Sequence, residues 1–329
     1  MSDSAITPTI PLDAQGVHHG FLKLPFSRDD SAWGSVMVPI TVIANGEGPT
    51  ALLTGGNHGD EYEGPIALQD LACSLKPSEV TGRIIILPMM NTPAFAAGKR
   101  CSPIDGVNMN RCFPGRADGS VTEKIAHYIA TRLVPPADIV LDFHSGGQTL
   151  DFLPYAAAHV LDNKTQEDAC MAAMQAFNAP YSVRMLEIDL VGMFDTEVEG
   201  QGKVFVTTEL GGAGTATARS VAIARKGARN LLRHAGILSG APQIEETVQL
   251  DMPDERCFQF ALEPGLIEYQ ADLGDEVREG QPIARIWRSD RTGAAPVPCL
   301  ARRDGILAAR HVPGLVKMGD FVGLVAERL

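Results

Sequence analysis

Short apolar runs that stop abruptly at glycine, proline or charged residues recur along the first two thirds of the chain. Thr50-Ala51-Leu52-Leu53-Thr54 stops at Gly55-Gly56, and Gly82-Arg83-Ile84-Ile85-Ile86-Leu87 stops at Pro88. Ala137-Asp138-Ile139-Val140-Leu141-Asp142-Phe143 runs into His144-Ser145-Gly146-Gly147, and Lys203-Val204-Phe205-Val206-Thr207-Thr208 runs into Glu209 and Gly211-Gly212. Continuous apolarity over so few residues predicts strands covered on both faces. Two further strands are expected over residues 20–26 and 36–44, followed by the turn Asn45-Gly46-Glu47-Gly48-Pro49. Residues 65–75, 121–133 (with Ile125, Ile129 and Leu133 on one side), 168–177 and 216–234 read as helices. Residues 1–15, small, polar and proline-containing, read as a loose arm. Strands alternating with helices predict an α/β fold: a mixed, mostly parallel sheet with helices on both faces.

The pattern changes near Ser239–Pro253, which reads as a linker. Beyond it come short strands, glycine turns and an internal repeat. Leu273-Gly274-Asp275-Glu276-Val277 is echoed by Met318-Gly319-Asp320-Phe321-Val322, and Gly265-Leu266-Ile267 by Gly305-Ile306-Leu307. The chain therefore divides into a catalytic domain, residues 1–245, and a small all-β barrel or sandwich, residues 246–329, of biotinyl/lipoyl type. A carrier of that type needs a lysine on the hairpin between its halves. Ser289–Cys299 holds none and Lys317 lies inside the second half, so a structural or lid role is expected.

Composition narrows the function classes. The 329 residues are 45% hydrophobic and 21% charged, enough to bury a core without staples. Acidic residues outnumber basic ones 40 to 28, a net charge of −12, which argues against nucleic acid as a partner. No apolar run reaches the roughly 20 residues of a membrane span. Met1–Leu12 lacks the basic and apolar regions of a signal peptide. The six cysteines have no paired spacing, as in a reduced, cytoplasmic chain, and Cys101 and Cys112 have no base nearby to make them nucleophiles.

Three predicted strands deliver a chemically capable side chain just past their ends. His58 and Glu61, three apart, follow the first; His144 follows another; Glu209 follows the last. Such crevices are where open α/β sheets place their ligands. Two histidines and a glutamate are a common zinc set that leaves a fourth position open for water. An isolated HxxE is weak, and His144 gives it weight. Asp142 either orients a ligand or marks the strand end. The other six histidines, His159 and His311 in expected loops among them, have no spaced partner. Glu209 is the candidate general base, with Glu197 and Glu199 as neighbours in sequence. The long loop over residues 89–118 carries Arg100 and Asn108-Met109-Asn110-Arg111. Its arginines suit a carboxylate or a developing oxyanion.

GGNHGDEYEG, Asn110-Arg111-Cys112-Phe113-Pro114-Gly115, DFHSGG and TELGG, in that order, resemble the succinylglutamate desuccinylase/aspartoacylase family, a branch of the zinc carboxypeptidase-like fold. The likeness covers roughly residues 50–240. It implies one Zn²⁺ on His58, Glu61 and His144. It also implies Glu209 as general base, Arg100 polarising the amide carbonyl, and Asn110 and Arg111 holding a substrate carboxylate. Asn108-Met109 stands where the family often has aspartate-leucine. The implied reaction is hydrolysis of a small N-acyl amino acid, and the likeness runs most toward the branch that deacetylates N-acetyl-L-2,4-diaminobutyrate in ectoine breakdown. Desuccinylation or deacylation of an acidic N-acyl amino acid, and carboxypeptidase action, are the alternatives. A cationic substrate tail would want a carboxylate, for which Asp195, Glu197 and Glu199 are the candidates. A homo-oligomer is compatible with all of this.

Overall fold

The structure, a computed structural model, describes residues 4–186 and 190–329, so the first three residues of the expected arm lie outside the described residues. In chain order come β1 (Thr7–Pro8), β2 (Gly16–Pro25), β3 (Ser35–Asn45), β4 (Thr50–Thr54), α1 (Glu63–Ser74), β5 (Gly82–Leu87), α2 (Thr92–Ala97), α3 (Val121–Tyr128) and β6 (Ile139–His144). Next are β7 (Leu150–Phe152), β8 (Tyr155–His159), α4 (Lys164–Phe177), β9 (Tyr181–Met185), α5 (Phe194–Gly200), β10 (Val204–Glu209) and α6 (Ala218–His234). The rest is β11 (Val248–Asp251), β12 (Phe258–Phe260), β13 (Gly265–Tyr269), β14 (Glu276–Val277), β15 (Pro282–Trp287), β16 (Val297–Leu300), β17 (Gly305–His311), β18 (Leu315–Val316) and β19 (Phe321–Arg328).

The centre of the large sheet is the parallel set β5-β4-β6-β10. Alternation of side chains sorts these strands between two cores. Ala51 and Leu53 of β4 face α1, α4 and α6 through Leu68, Leu71, Phe177 and Leu231. Leu52, between them, faces the opposite layer of Ile125, Ile129, Leu133 and Phe194. Helices therefore cover both faces, and the strands have no wet side, which is why their sequences read as unbroken apolar runs. The N-terminal segment is not a loose arm. Ile6 is buried in the second core, and Thr9 N–H donates to the Phe21 carbonyl as β1 pairs with β2.

Past β10 the sheet departs from a mostly parallel order. β8 lies antiparallel to β10, β9 and β11 run parallel to β8 in turn, and β11 pairs antiparallel with β19. The expected linker thus contains a strand, β11, that stitches the C-terminal region onto the large sheet. β19 continues to β17 and β14 in that sheet. β16-β15-β13-β18 form a separate antiparallel sheet, over a core that includes Ile283, Ile286, Val316 and Val322. The result is a mixed α/β molecule whose C-terminal β region is partly separate and partly an extension of the main sheet.

Candidate active site

β4, β6 and β10 end side by side. Thr54 is in register with Asp142, and His144 with Glu209. The turn after β4 is held close by two glycines. A Cβ on Gly59 would lie 2.0 Å from the Ala94 carbonyl carbon of α2, and one on Gly64 would lie 2.1 Å from Cβ of Phe143 on β6. This is why the GGNHGDEYEG stretch carries glycine at both places. With the turn drawn in, His58 and Glu61 reach His144 across the strand ends.

His58 Nδ1 stands 2.7 Å from Glu61 Oε1, and His144 Nδ1 stands 2.9 Å from Glu61 Oε2. The far nitrogens are both occupied. Asn108 Oδ1 accepts from Asn110 N–H at 3.0 Å and faces His58 Nε2 at 3.1 Å. An oxygen already identified as an acceptor requires His58 Nε2 to carry the proton. His144 Nε2 faces Asp142 Oδ2 at 2.9 Å, while Thr54 and Asn57 donate to the same carboxylate. Neutral imidazoles in these tautomers aim two Nδ1 lone pairs at an acceptor-only carboxylate. Such a set needs protons or a metal cation among its atoms, and the three residues offer ligand atoms within 4.8 Å of one another. They fit a metal on donor chemistry and on reach.

Electrostatics follow from the same contacts. Burial pushes His144 down, but Asp142 and Glu61 outweigh it and raise its pKa well above the usual imidazole value. His58 goes the other way. Burial lowers it, Arg100 and His144 add to the lowering, and only Glu61 opposes. The difference between the two histidines is that His58 leans on a neutral amide where His144 has a second carboxylate. Glu61 is held well below the usual carboxylate range. Burial alone would raise it, but the two imidazoles prevail. Arg100 reaches in from the long loop, with Nη1 3.4 Å from His58 Nδ1 and 3.8 Å from Glu61 Oε1.

All seven sequence-expected residues, His58, Glu61, Arg100, Asn110, Arg111, His144 and Glu209, line one cleft of about 350 Å³. Asn110 sits in the 3₁₀ turn Met109–Arg111, and its Oδ1 accepts from Phe194 N–H, leaving its amide NH₂ to donate. Asp195 joins the lining; Glu197 and Glu199 do not. Glu197 accepts from Gln201, and Glu199 pairs with His159 Nδ1 at 2.9 Å. His159 is thus not a loop histidine but a buried one at the end of β8, and His311 likewise ends β17 in a buried position. Burial raises the Cys112 thiol to about 12, with Glu123 and Asp105 adding to it, so the thiolate a nucleophile needs is suppressed.

The sequence reading missed the apolar wall of this cleft. Phe258 and Phe260 from β12, and Phe321 and Leu324 from β19, line it together with Phe152, Tyr155 and Met185. The C-terminal region therefore contributes to the site. It left no local signal, because nothing in those strands marks which face they turn toward residues some 200 positions earlier. Asn108 as the anchor of His58 was also not evident; its only trace was a polar residue next to Asn110-Arg111.

Comparison with known proteins identifies the family. Residues 47–235 match the model of the succinylglutamate desuccinylase/aspartoacylase catalytic domain. The chain is 55% identical over 326 residues to N-alpha-acetyl-L-2,4-diaminobutyric acid deacetylase of Halomonas elongata, covering 98% of this chain and 95% of that one. The product-bound structure of the ectoine utilization protein EutE from Ruegeria pomeroyi is 62% identical, with a TM-score of 0.98 over 99% of this chain and 100% of that one. A succinylglutamate desuccinylase/aspartoacylase from Rhodobacter sphaeroides is 39% identical, with a TM-score of 0.94 over 99% and 100%. The ordered motifs, the strand-end constellation and the full-length likeness converge: this chain belongs to the succinylglutamate desuccinylase/aspartoacylase family.

Proposed function

We propose that the protein is a zinc-dependent amidohydrolase that deacetylates N-acetyl-L-2,4-diaminobutyrate. The family and the names of the Halomonas and Ruegeria relatives support the reaction and the substrate. The observation that carries the mechanism is the convergence of two Nδ1 lone pairs on the Glu61 carboxylate, with both Nε2 atoms engaged elsewhere. His58, Glu61 and His144 would hold the metal. When bound there, zinc supplies Lewis acidity and lowers the pKa of water in its vicinity.

The remaining steps belong to the side chains. Glu209 takes a proton from the attacking water and delivers it to the amine nitrogen as the C–N bond breaks. Arg100 donates to the carbonyl oxygen as negative charge builds there. Asn110 and Arg111 grip the substrate carboxylate, the arginine by its planar fork. The products are acetate and the free amino acid. In this reading residues 1–245 supply the polar machinery in the cytoplasm, and residues 246–329 add an apolar wall to the cleft.

The test measures zinc content and acetate release together. Wild type should hold one zinc per chain. His58→Ala should lose metal and turnover together. Glu209→Gln should keep the metal and lose roughly 10²–10⁴-fold in kcat. Full activity of a metal-free preparation would overturn the mechanism. Faster release from N-acetylaspartate, N-succinylglutamate or peptides would overturn the substrate.

A further inference from the structure

The chain has two tryptophans, and its own fold accommodates only one of them. Trp287 on β15 donates its Nε1–H to Glu268 and carries the Arg285 guanidinium over its ring. Trp33 is 99% exposed, on the loop between β2 and β3. That loop is braced. Phe26 N–H donates to the Gly34 carbonyl, Arg28 and Ser31 exchange backbone hydrogen bonds, Gly34 N–H donates to the Ser31 carbonyl, and Arg28 pairs with Asp30. A Cβ on Gly34 would lie 2.6 Å from Arg28 Nη1 and 2.8 Å from the Phe26 carbonyl oxygen, so the turn needs glycine there. The indole is thus held out into water on an ordered loop. Close to it in the same loop, Asp29 is exposed and has no ion pair or hydrogen bond from its side chain among the described residues.

A hole of matching chemistry lies near the other end of the fifteen-stranded sheet, beside β12. It is a groove of about 410 Å³, lined by Phe258, Phe260, Leu262, Pro298, Leu300 and one exposed cation, Arg302. Arg302 makes no ion pair or hydrogen bond from its side chain among the described residues. Phe258 and Phe260 line both this groove and the substrate cleft, so the apolar wall of the cleft has open space behind it. An exposed indole near an unpaired anion is the complement of an apolar groove beside an unpaired cation. Aromatic anchors seated in pockets carry most of the energy of an interface, opposite charges fix its register, and arginine also stacks on indole. Trp33 touches nothing in its own chain, so the groove is not filled from within. We propose that the groove receives Trp33 of a second copy of this chain, with Asp29 meeting Arg302, and that the docked indole braces Phe258 and Phe260 from behind. Two copies related by a two-fold axis fill both grooves reciprocally. One indole buries only about 150–250 Å², so even two, with the exposed Leu262 and Leu300 added, fall short of the roughly 1,200 Å² of a stable interface. The pair therefore exchanges with the single chain.

Sedimentation equilibrium of the full chain tests the docking. The wild-type mass should rise from one chain to two as concentration rises. Trp33→Ala, which removes a side chain that packs on nothing in its own chain, should fold normally and raise the dissociation constant by roughly 30-fold or more. Asp29→Arg and Arg302→Glu should each weaken pairing by about 10-fold or more, and the double variant should recover it, because opposite charges again face each other. A wild type that stays a single chain at every concentration overturns the proposal and leaves the groove to another occupant. So does a Trp33→Ala protein that pairs as well as wild type, a double variant no better than the single ones, or a mass that grows past two chains. The bracing rests on the deacylase reading above and is read by kinetics. KM for N-acetyl-L-2,4-diaminobutyrate should fall by a factor of about 3 or more as wild-type enzyme concentration rises through the pairing range. It should stay high in Trp33→Ala, with kcat little changed. A KM that ignores enzyme concentration overturns the bracing. Failure of the deacylase reading looks different, because no acetate would then be released at any concentration while the pairing persisted.

Discussion

At the scale of single residues, the site is asymmetric where it counts. His144 leans on the Asp142 carboxylate and His58 on the Asn108 amide. A partner to the far ring nitrogen fixes the tautomer and tunes the basicity of the near one, and loss of such partners typically costs 10–100-fold in metal affinity. Asn108→Leu should therefore weaken zinc binding by about 10–100-fold, and Asn108→Asp, an anion in the same place, should tighten it. Competition against a chelator reads both directly, and equal affinity across the three proteins would refute this role for Asn108. The pKa directions add a pH dependence. In the metal-free protein the raised His144 contributes stability that is fully present below its unfolded value and lost as pH rises through its folded value. Glu61, lowered, contributes above its unfolded value and loses that contribution as pH falls. The metal-free fold should gain most from this pair in mildly acidic to neutral solution. A metal ion held by His58, Glu61 and His144 would have to displace the proton on His144, so its affinity should climb as pH rises. Calorimetric titration of the metal-free protein in two buffers of different ionisation enthalpy would reveal the released proton. The residues legible in the sequence were those whose type alone implies chemistry at a strand end: His58, Glu61, His144 and Glu209. Asn108 and His159 were illegible, because amides and lone histidines acquire meaning only from what the fold places beside them, and Asp195 was legible only as one of three neighbouring carboxylates, of which it alone lines the cleft.

At the scale of elements, the parallel strands were the readable part. Burial on both faces forces β4, β5, β6 and β10 to be apolar throughout, and that pattern survives in one dimension. β8 was not readable. Tyr155-Ala156-Ala157-Ala158-His159 is rich in alanine, a strong helix former, and becomes a strand only because β10 and β9 bracket it with ladder hydrogen bonds. β11 was lost in a polar stretch for the same reason: its register with β9 and β19 is a tertiary fact. The junction of β4 and α1 offers a direct test of how sequence dictates geometry here. Gly64 lets α1 approach β6 so closely that a methyl group would overlap Phe143. Gly64→Ala should destabilise the protein by roughly 1–3 kcal/mol through overpacking. It should also weaken zinc binding, because pushing α1 away carries Glu61 off His144. A variant with wild-type melting temperature and wild-type metal affinity would show that the helix can shift without cost.

At the scale of the whole molecule, the internal repeat announced a small all-β region over residues 246–329, and in the structure five of its strands belong to the large sheet. β11 hydrogen-bonds to β9 on one side and β19 on the other. A mixed core joins Tyr155, Ala157 and Val183 from the first part to Leu250, Ile306, Ala308 and Leu324 from the second. Cutting the chain after residue 245 would therefore leave β9 as a bare edge and expose one flank of that core, the two conditions that favour aggregation. It would also strip Phe258, Phe260, Phe321 and Leu324 from the cleft while leaving all seven polar site residues in place. Residues 1–245 expressed alone should consequently be largely insoluble, and any soluble fraction should show a large rise in KM even when zinc is bound. Co-expression with residues 246–329 as a second chain separates the two effects. If the large sheet is one cooperative unit, the fragments should associate and recover both solubility and turnover, because the β11–β19 and β12–β19 ladders lie wholly within the second fragment and the β9–β11 and β7–β17 seams re-form between chains. A soluble, fully active 1–245 fragment would instead mean that the C-terminal wall is dispensable for both folding and substrate binding.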